Sequence, residues 1–185
     1  MKKDTARIIL NKDCPRKCPN CCNDYIDFSK IKKIDSLLKL KGKYDSFVLT
    51  GGEPMLYMYN LLHSAYVCKN FGSKVYVQTA YYSSEGSKGE ELLSIIDGIN
   101  YTLHDNATVS DLIRLELLVK DLRGIEGINS KLIIDSRLFE KINNDDMKLI
   151  SDFSESFTTV QILEWKEDGD CPLPENEDLY ILDSN

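Results

Sequence analysis

The sequence predicts an α/β protein with parallel strands. Three observations predict it: six short apolar runs of strand type, five helical segments alternating with them, and connections that are mostly short. Parallel neighbours need crossovers of a dozen residues or more, which such helices supply, and these crossovers are right-handed. Six βα units are too few for the closed eight-stranded barrel. Periodicity therefore leaves two architectures, an open doubly wound sheet or a splayed partial barrel.

Taken in order, "ARIILNK" is the first strand and delivers the chain into a cysteine-rich loop. Phe28, Ile31, Ile34, Leu37 and Leu38 then recur at helical spacing, with Asp27 or Ser29 placed to cap. "SFVLT" is a buried-type strand followed by "GGEP" and a helix whose Met58, Leu61, Leu62 and Ala65 share a face and which stops at Gly72. "KVYVQTA" is a strand, "GEELLSII" a helix, and "INYTLH" a strand. A helix from Thr108 to Leu122 opens with a Thr-x-x-Asp capping box. "KLIIDS", "DDMKLISDF" and "TTVQILEW" complete the alternation as strand, helix and last strand. The composition divides the chain into a core over 1–163 and an acidic tail over 164–185, in which "GDCPLPENED" is expected as a loop.

The chain has 185 residues and a net charge of -7, unevenly spread. Residues 1–43 hold twelve Lys/Arg against five Asp, whereas 164–185 hold eight acids against Lys166 alone. This balance disfavours a wholly basic nucleic-acid binder. The apolar run near the start is too short for a signal peptide, and no run approaches the ~20 residues of a membrane span, so a cytoplasmic protein is expected.

Four of the six cysteines crowd into "CPRKCPNCCN". In a reducing compartment, clustered thiols point to metal ligation or catalysis rather than disulfides. Cys14, Cys18 and Cys21 have C-x3-C-x2-C spacing on a loop after a strand, where parallel α/β folds gather their sites. Structural zinc wants four closed ligands, commonly as paired C-x2-C elements, and the second pair is missing here. Three thiolates on one loop suit a 4Fe-4S cluster with one iron left open. A zinc-binding or electron-carrying iron-sulfur module stays open as a reading of another class.

With "LTGGEP" at the end of the next strand, "CPRKCPNC" resembles the radical S-adenosylmethionine superfamily, and the βα alternation extends the resemblance to "VQILEW". The resemblance implies a partial (β/α)6 barrel and an enzyme. Cys14, Cys18 and Cys21 would hold a 4Fe-4S cluster whose fourth iron is chelated by S-adenosylmethionine. The reduced cluster would cleave that cofactor to a 5'-deoxyadenosyl radical, which takes hydrogen from a substrate. In the Gly51-Gly52-Glu53-Pro54 segment, the glycines would let the backbone approach the ligand and Glu53 would pair with the methionyl ammonium. By position, Thr79 and Tyr101 to His104 fall where family members contact ribose and carboxylate, and the backbone at Ile162 and Leu163 where they contact adenine. No catalytic side chain is assigned.

The chain departs from the family at two points. Asn20 stands where many members carry an aromatic residue, and Cys22 directly follows the triad; Cys22 is read as a small buried residue, Cys68 as core, and Cys171 is unassigned. "CPRKCPNCCN" is further similar to the C-x3-C-P-x-C-x-N pattern of activating subunits of anaerobic ribonucleotide reductase, which implies a protein substrate. The alternatives are a small-molecule enzyme similar to 7-carboxy-7-deazaguanine synthase, and a peptide-modifying enzyme. The expected electron donor is a flavodoxin or ferredoxin, steered to the lysines of the first helix.

Overall fold

The computed structural model describes residues 3–18, 21–84, 86–164 and 173–183. Its strands are β1 (Thr5–Ile9), β2 (Lys32–Ile34), β3 (Ser46–Thr50), β4 (Lys74–Thr79), β5 (Gly98–Leu103), β6 (Asn129–Asp135), β7 (Thr159–Leu163) and β8 (Glu177–Leu182). Its helices are α1 (Cys22–Tyr25), α2 (Met58–Lys69), α3 (Lys88–Ile95), α4 (Val109–Leu122) and α5 (Asn144–Ser154). The strands form one sheet in the order β2-β8-β1-β3-β4-β5-β6-β7. Every pairing is parallel, as the sequence predicts.

From β3 to β7 each crossover steps in the same direction, and right-handed connections then place α2 to α5 on one face. That winding is compatible with a partial barrel. The chain leaves β1 toward β2 on one side, and leaves β3 toward β4 on the other. Diverging connections open a crevice at the carboxyl ends of the two strands between them.

On the roofed face, Ile8, Leu49, Val77 and Tyr101 join Leu61 of α2, Leu92 of α3 and Leu115 of α4 in one core, all 0% exposed. Each such leucine contributes about 2 kcal/mol by leaving water. The opposite face is polar. Arg7 donates to both carboxylate oxygens of Glu177, at 2.6 and 3.2 Å, and to Gln78 Oε1 at 2.6 Å, so one guanidinium ties β8, β1 and β4 together.

Two expectations are corrected here. Residues 28–40 do not form a helix: they make two 3-10 turns, Phe28–Lys30 and Leu37–Leu40, on either side of β2. Ile34, Leu37 and Leu40 are buried while Leu38 is 67% exposed, so the apolar pattern serves a strand and a turn rather than a continuous stripe. Asp27 does cap, accepting from Ser29 N at 3.0 Å, but it caps a turn. The lysines of this segment are partly matched locally, Lys30 by Asp27 and Lys39 by Asp35. The second correction concerns 164–185. Residues 177–182, read as part of an acidic tail, form β8 between β1 and β2, and Arg7 offsets the charge of Glu177 there. Among the described residues no helix is long and apolar enough to cross a membrane.

Candidate functional site

The crevice at the carboxyl ends of β1 and β3 holds the cysteine loop and the Gly-Gly-Glu segment, joined through their backbones. Leu10 N donates to Thr50 O, Gly52 N to Asn11 O and Glu53 N to Asp13 O, all at 2.8 to 2.9 Å. Asn11 Nδ2 adds a bond to Glu53 O at 3.2 Å. The two segments are therefore a continuation of the β1–β3 ladder past the strand ends.

This contact explains the glycines in a way the sequence did not indicate. A Cβ on Gly52 would lie 2.3 Å from Asp13 O and 2.5 Å from Lys12 O, and one on Gly51 would lie 2.4 Å from Asn11 O. Gly51 also has φ +151°, which side chains disfavour. The close approach is to the cysteine loop's own backbone.

Glu53 is 1% exposed. Its Oε1 accepts from Thr79 Oγ1 at 2.6 Å and Met55 N at 3.0 Å, and its Oε2 from Ala80 N at 3.0 Å. The carboxylate therefore caps the 3-10 turn Pro54–Tyr57, in which Pro54 is buried, and ties the end of β3 to the end of β4. Its partners within the chain are thus the Thr79 hydroxyl and two backbone N–H groups. Burial outweighs these hydrogen bonds and pushes the Glu53 carboxyl from 4.5 up to about 7. A carboxyl raised in the folded state binds more protons than the unfolded chain between these values, so its contribution to stability falls as pH rises from about 4.5 to 7, and is flat above. Glu53→Gln should remove that slope, read as the wild-type minus variant unfolding free energy across pH 4.5 to 8; parallel curves would refute it.

Of the three candidate ligands, Cys14 is exposed and Cys18 and Cys21 are half-buried; all three are free thiols. Packing around the sulfurs raises the thiols of Cys14 and Cys18. Charges on Glu53, Cys18 and Cys21 raise Cys14 further, so the three lie within electrostatic range of one another. Among the described residues no group of three or more His, Cys, Asp or Glu side chains is gathered closely enough to hold a metal ion.

The most constrained side chain of the loop is one the sequence did not single out. Arg16 donates to Asp111 Oδ1 and, at 3.0 Å, to Asn106 Oδ1, with the Arg16 and Asp111 side chains only 9% and 10% exposed. Asn106 Nδ2 returns a bond to Lys17 O at 3.0 Å. Asp111 is also the third helical residue in the capping box of α4, whose N-cap is Thr108: its Oδ2 accepts from Thr108 N at 2.7 Å and Thr108 Oγ1 at 3.0 Å. The predicted capping box is therefore also the anchor of the cysteine loop. The Arg16 guanidinium lies beside Cys18, where its charge favours the thiolate against burial. Among the described residues, Arg16 Nε and Asp105 Oδ1 are buried without a hydrogen-bond partner, although Lys141 binds the other Asp105 oxygen at 2.6 Å.

His104 follows β5 directly, and burial together with the charge on Arg16 pushes it down to about 4. It is neutral at ordinary pH. Leu163 ends β7 beside Asp135 of β6, at the far side of the sheet from β1. Ile162 points to the opposite face and is 59% exposed. Cys68 is buried, as expected, and burial raises its thiol to about 12. Cys22, read as a small buried residue, is instead half-buried and engaged in a disulfide, a pairing that the reading of a reducing compartment did not anticipate. Asn20 and Cys171 lie outside the described residues.

The elements thus bring together Cys14, Cys18, Cys21, Gly51, Gly52, Glu53 and Thr79, with His104 linked through Arg16. Leu163 is not part of that group. Arg16, Asn106 and Asp111 were illegible because partners 90 and 95 residues apart leave no local pattern. No protein-family model matches the chain, and no curated protein matches its sequence.

Proposed function

We propose that the chain is a radical S-adenosylmethionine enzyme on a partial (β/α)6 barrel, with Cys14, Cys18 and Cys21 as ligands of a 4Fe-4S cluster. One observation carries the reading: three free thiols on the β1 loop are stitched by backbone hydrogen bonds to Gly52 and Glu53 at the end of the adjacent parallel strand. The donor set fits in kind, since three free thiols on one loop are what such a cluster takes. When bound, the cluster and cofactor would supply one-electron cleavage of a carbon–sulfur bond.

The chain's own residues would do the following. The glycine pair sets the depth of the cysteine loop, and Glu53 with Thr79 fixes the floor beneath it. Arg16, itself held by Asp111 and Asn106, sets a cation beside Cys18 and so favours the thiolate that a metal requires. The polar face bearing Arg7 and Gln78 would be the side from which a polar substrate approaches.

Anaerobic reconstitution with iron and sulfide tests the reading. About four irons and reductive conversion of S-adenosylmethionine to 5'-deoxyadenosine are expected for the wild type. Cys18→Ala should lose both and Cys22→Ala should keep both. A single tightly bound zinc without turnover would make the chain a binding module, and loss of iron in the Cys22 variant would show the ligand set to be wrong.

A further inference from the structure

Alternation along the strands turns Arg7, Gln78, Asn100 and Lys131 to the face of the sheet away from α2 to α5. Register joins three of them into a row. Gln78 is paired with Asn100 and Asn100 with Lys131, so neighbours stand about 5 Å apart. All four residues are half-buried.

Most charges that the strands turn to this face are matched: Arg7 meets Glu177, Asp135 meets Arg137, and Lys33 meets Asp183. Lys74 and Lys131 remain, and among the described residues neither has an ion pair. The unmatched charge of the face is thus positive, in a chain whose net charge is -7. Hydrogen-bonding capacity leans the same way. Arg7 occupies Gln78 Oε1 at 2.6 Å, which turns the Gln78 amide so that its Nε2 donors are unclaimed among the described residues. The side chains of Asn100 and Lys131 make no bond there either. Lysine offers three donors and no acceptor, so the row calls for a ligand rich in acceptors.

We infer that this row binds a small molecule through an anionic oxygen group, a carboxylate or a phosphate, seated on Lys131, with Asn100 and Gln78 bonding its neighbouring polar atoms. Continuing the β3–β4 register by one residue brings Thr50, which precedes Gly51, beside Gln78. A ligand on the row therefore reaches toward the cysteine loop. As the substrate class of the proposed enzyme, the inference rests on that reading; as a binding site it does not, and binding is tested on the full chain without iron.

Four compounds are compared: N-acetylglycine with N-acetylglycinamide, which lacks the carboxylate, and glycerol phosphate with glycerol, which lacks the phosphate. Titration followed by nuclear magnetic resonance should show saturable millimolar binding of at least one anion, with shifts at the side-chain amides of Gln78 and Asn100. Neither neutral compound should saturate, and the anion that binds tells which group the site takes. Lys131→Met should weaken that binding about tenfold or more, whereas Lys131→Arg, which keeps a charged donor, should cost less than about threefold. Lys74 is the control. It stands about 13 Å from Gln78 along β4, beyond the screening length of about 10 Å at 0.1 M salt, so Lys74→Met should change binding less than about twofold. Equal losses in the Lys74 and Lys131 variants, neutral compounds that bind as well as the anions, or no saturable binding at all would overturn the site. Anion binding by a chain that fails to assemble a cluster would uphold the site and overturn only its role in radical chemistry.

Discussion

Gly52→Ala will destabilise the protein by about 3 kcal/mol or more, because the added methyl meets backbone on a face that has no room to give. Its Cβ would sit 2.3 Å from Asp13 O, 2.5 Å from Lys12 O and 2.6 Å from Asp13 C. Relief requires the cysteine loop to lift. Lifting would break the bonds from Gly52 N to Asn11 O and from Glu53 N to Asp13 O. Denaturant unfolding measures the loss, and the rate at which a thiol reagent labels Cys18 reports the loop. Gly42→Ala is the comparison: Gly42 has φ +72° but nothing within 4 Å, so its alanine should cost only about 1 kcal/mol of backbone strain. A Gly52 variant no less stable than the Gly42 variant, with Cys18 labelled at the wild-type rate, would show that the two segments do not depend on each other.

Asp111→Ala is the second large effect, because one carboxylate serves two roles. Through Oδ2 it caps α4 at Thr108, and through Oδ1 it holds Arg16. Thr108→Ala touches the cap alone and should cost about 1 kcal/mol. Asp111→Ala also strands a guanidinium whose side chain is 9% exposed, with Asn106 and Cys18 as remaining neutral partners, and should cost about 3 to 5 kcal/mol. Combining it with Arg16→Met, which removes the buried charge, should recover part of that loss. If the double variant is as unstable as the sum of the two single changes, the pair is not coupled.

The sheet was legible where strands are buried on at least one face and follow one another in space. β3, β4, β5 and β6 announce themselves as apolar runs because helices cover them, and Gly72 marks the end of α2 with φ +78°. The chain around β2 and β8 was not legible. The apolar residues of 31–40 fit a helical period by coincidence, and their actual partner is supplied by residues 177–182. β8 itself is disguised by Glu177 and Asp178, whose charges are met from elsewhere in the chain by Arg7, Lys3 and the Tyr44 hydroxyl. The cysteines and the Gly-Gly-Glu segment were visible from spacing, yet what binds them together is main-chain geometry, which no side-chain pattern encodes. The roles of Arg16, Asn106 and Asp111 needed the fold to be known first.

The position of β8 also bears on how a newly made chain acquires its structure on the ribosome. Among the described residues, β2 has no neighbour in the sheet except β8, and one side of β1 is likewise closed only by β8. Until residues 177–182 have emerged, the strand that leads into the cysteine loop is an exposed sheet edge, and β2 has nothing to pair with. Chains stalled before that point should display the thiols on an unfinished scaffold, open to premature oxidation.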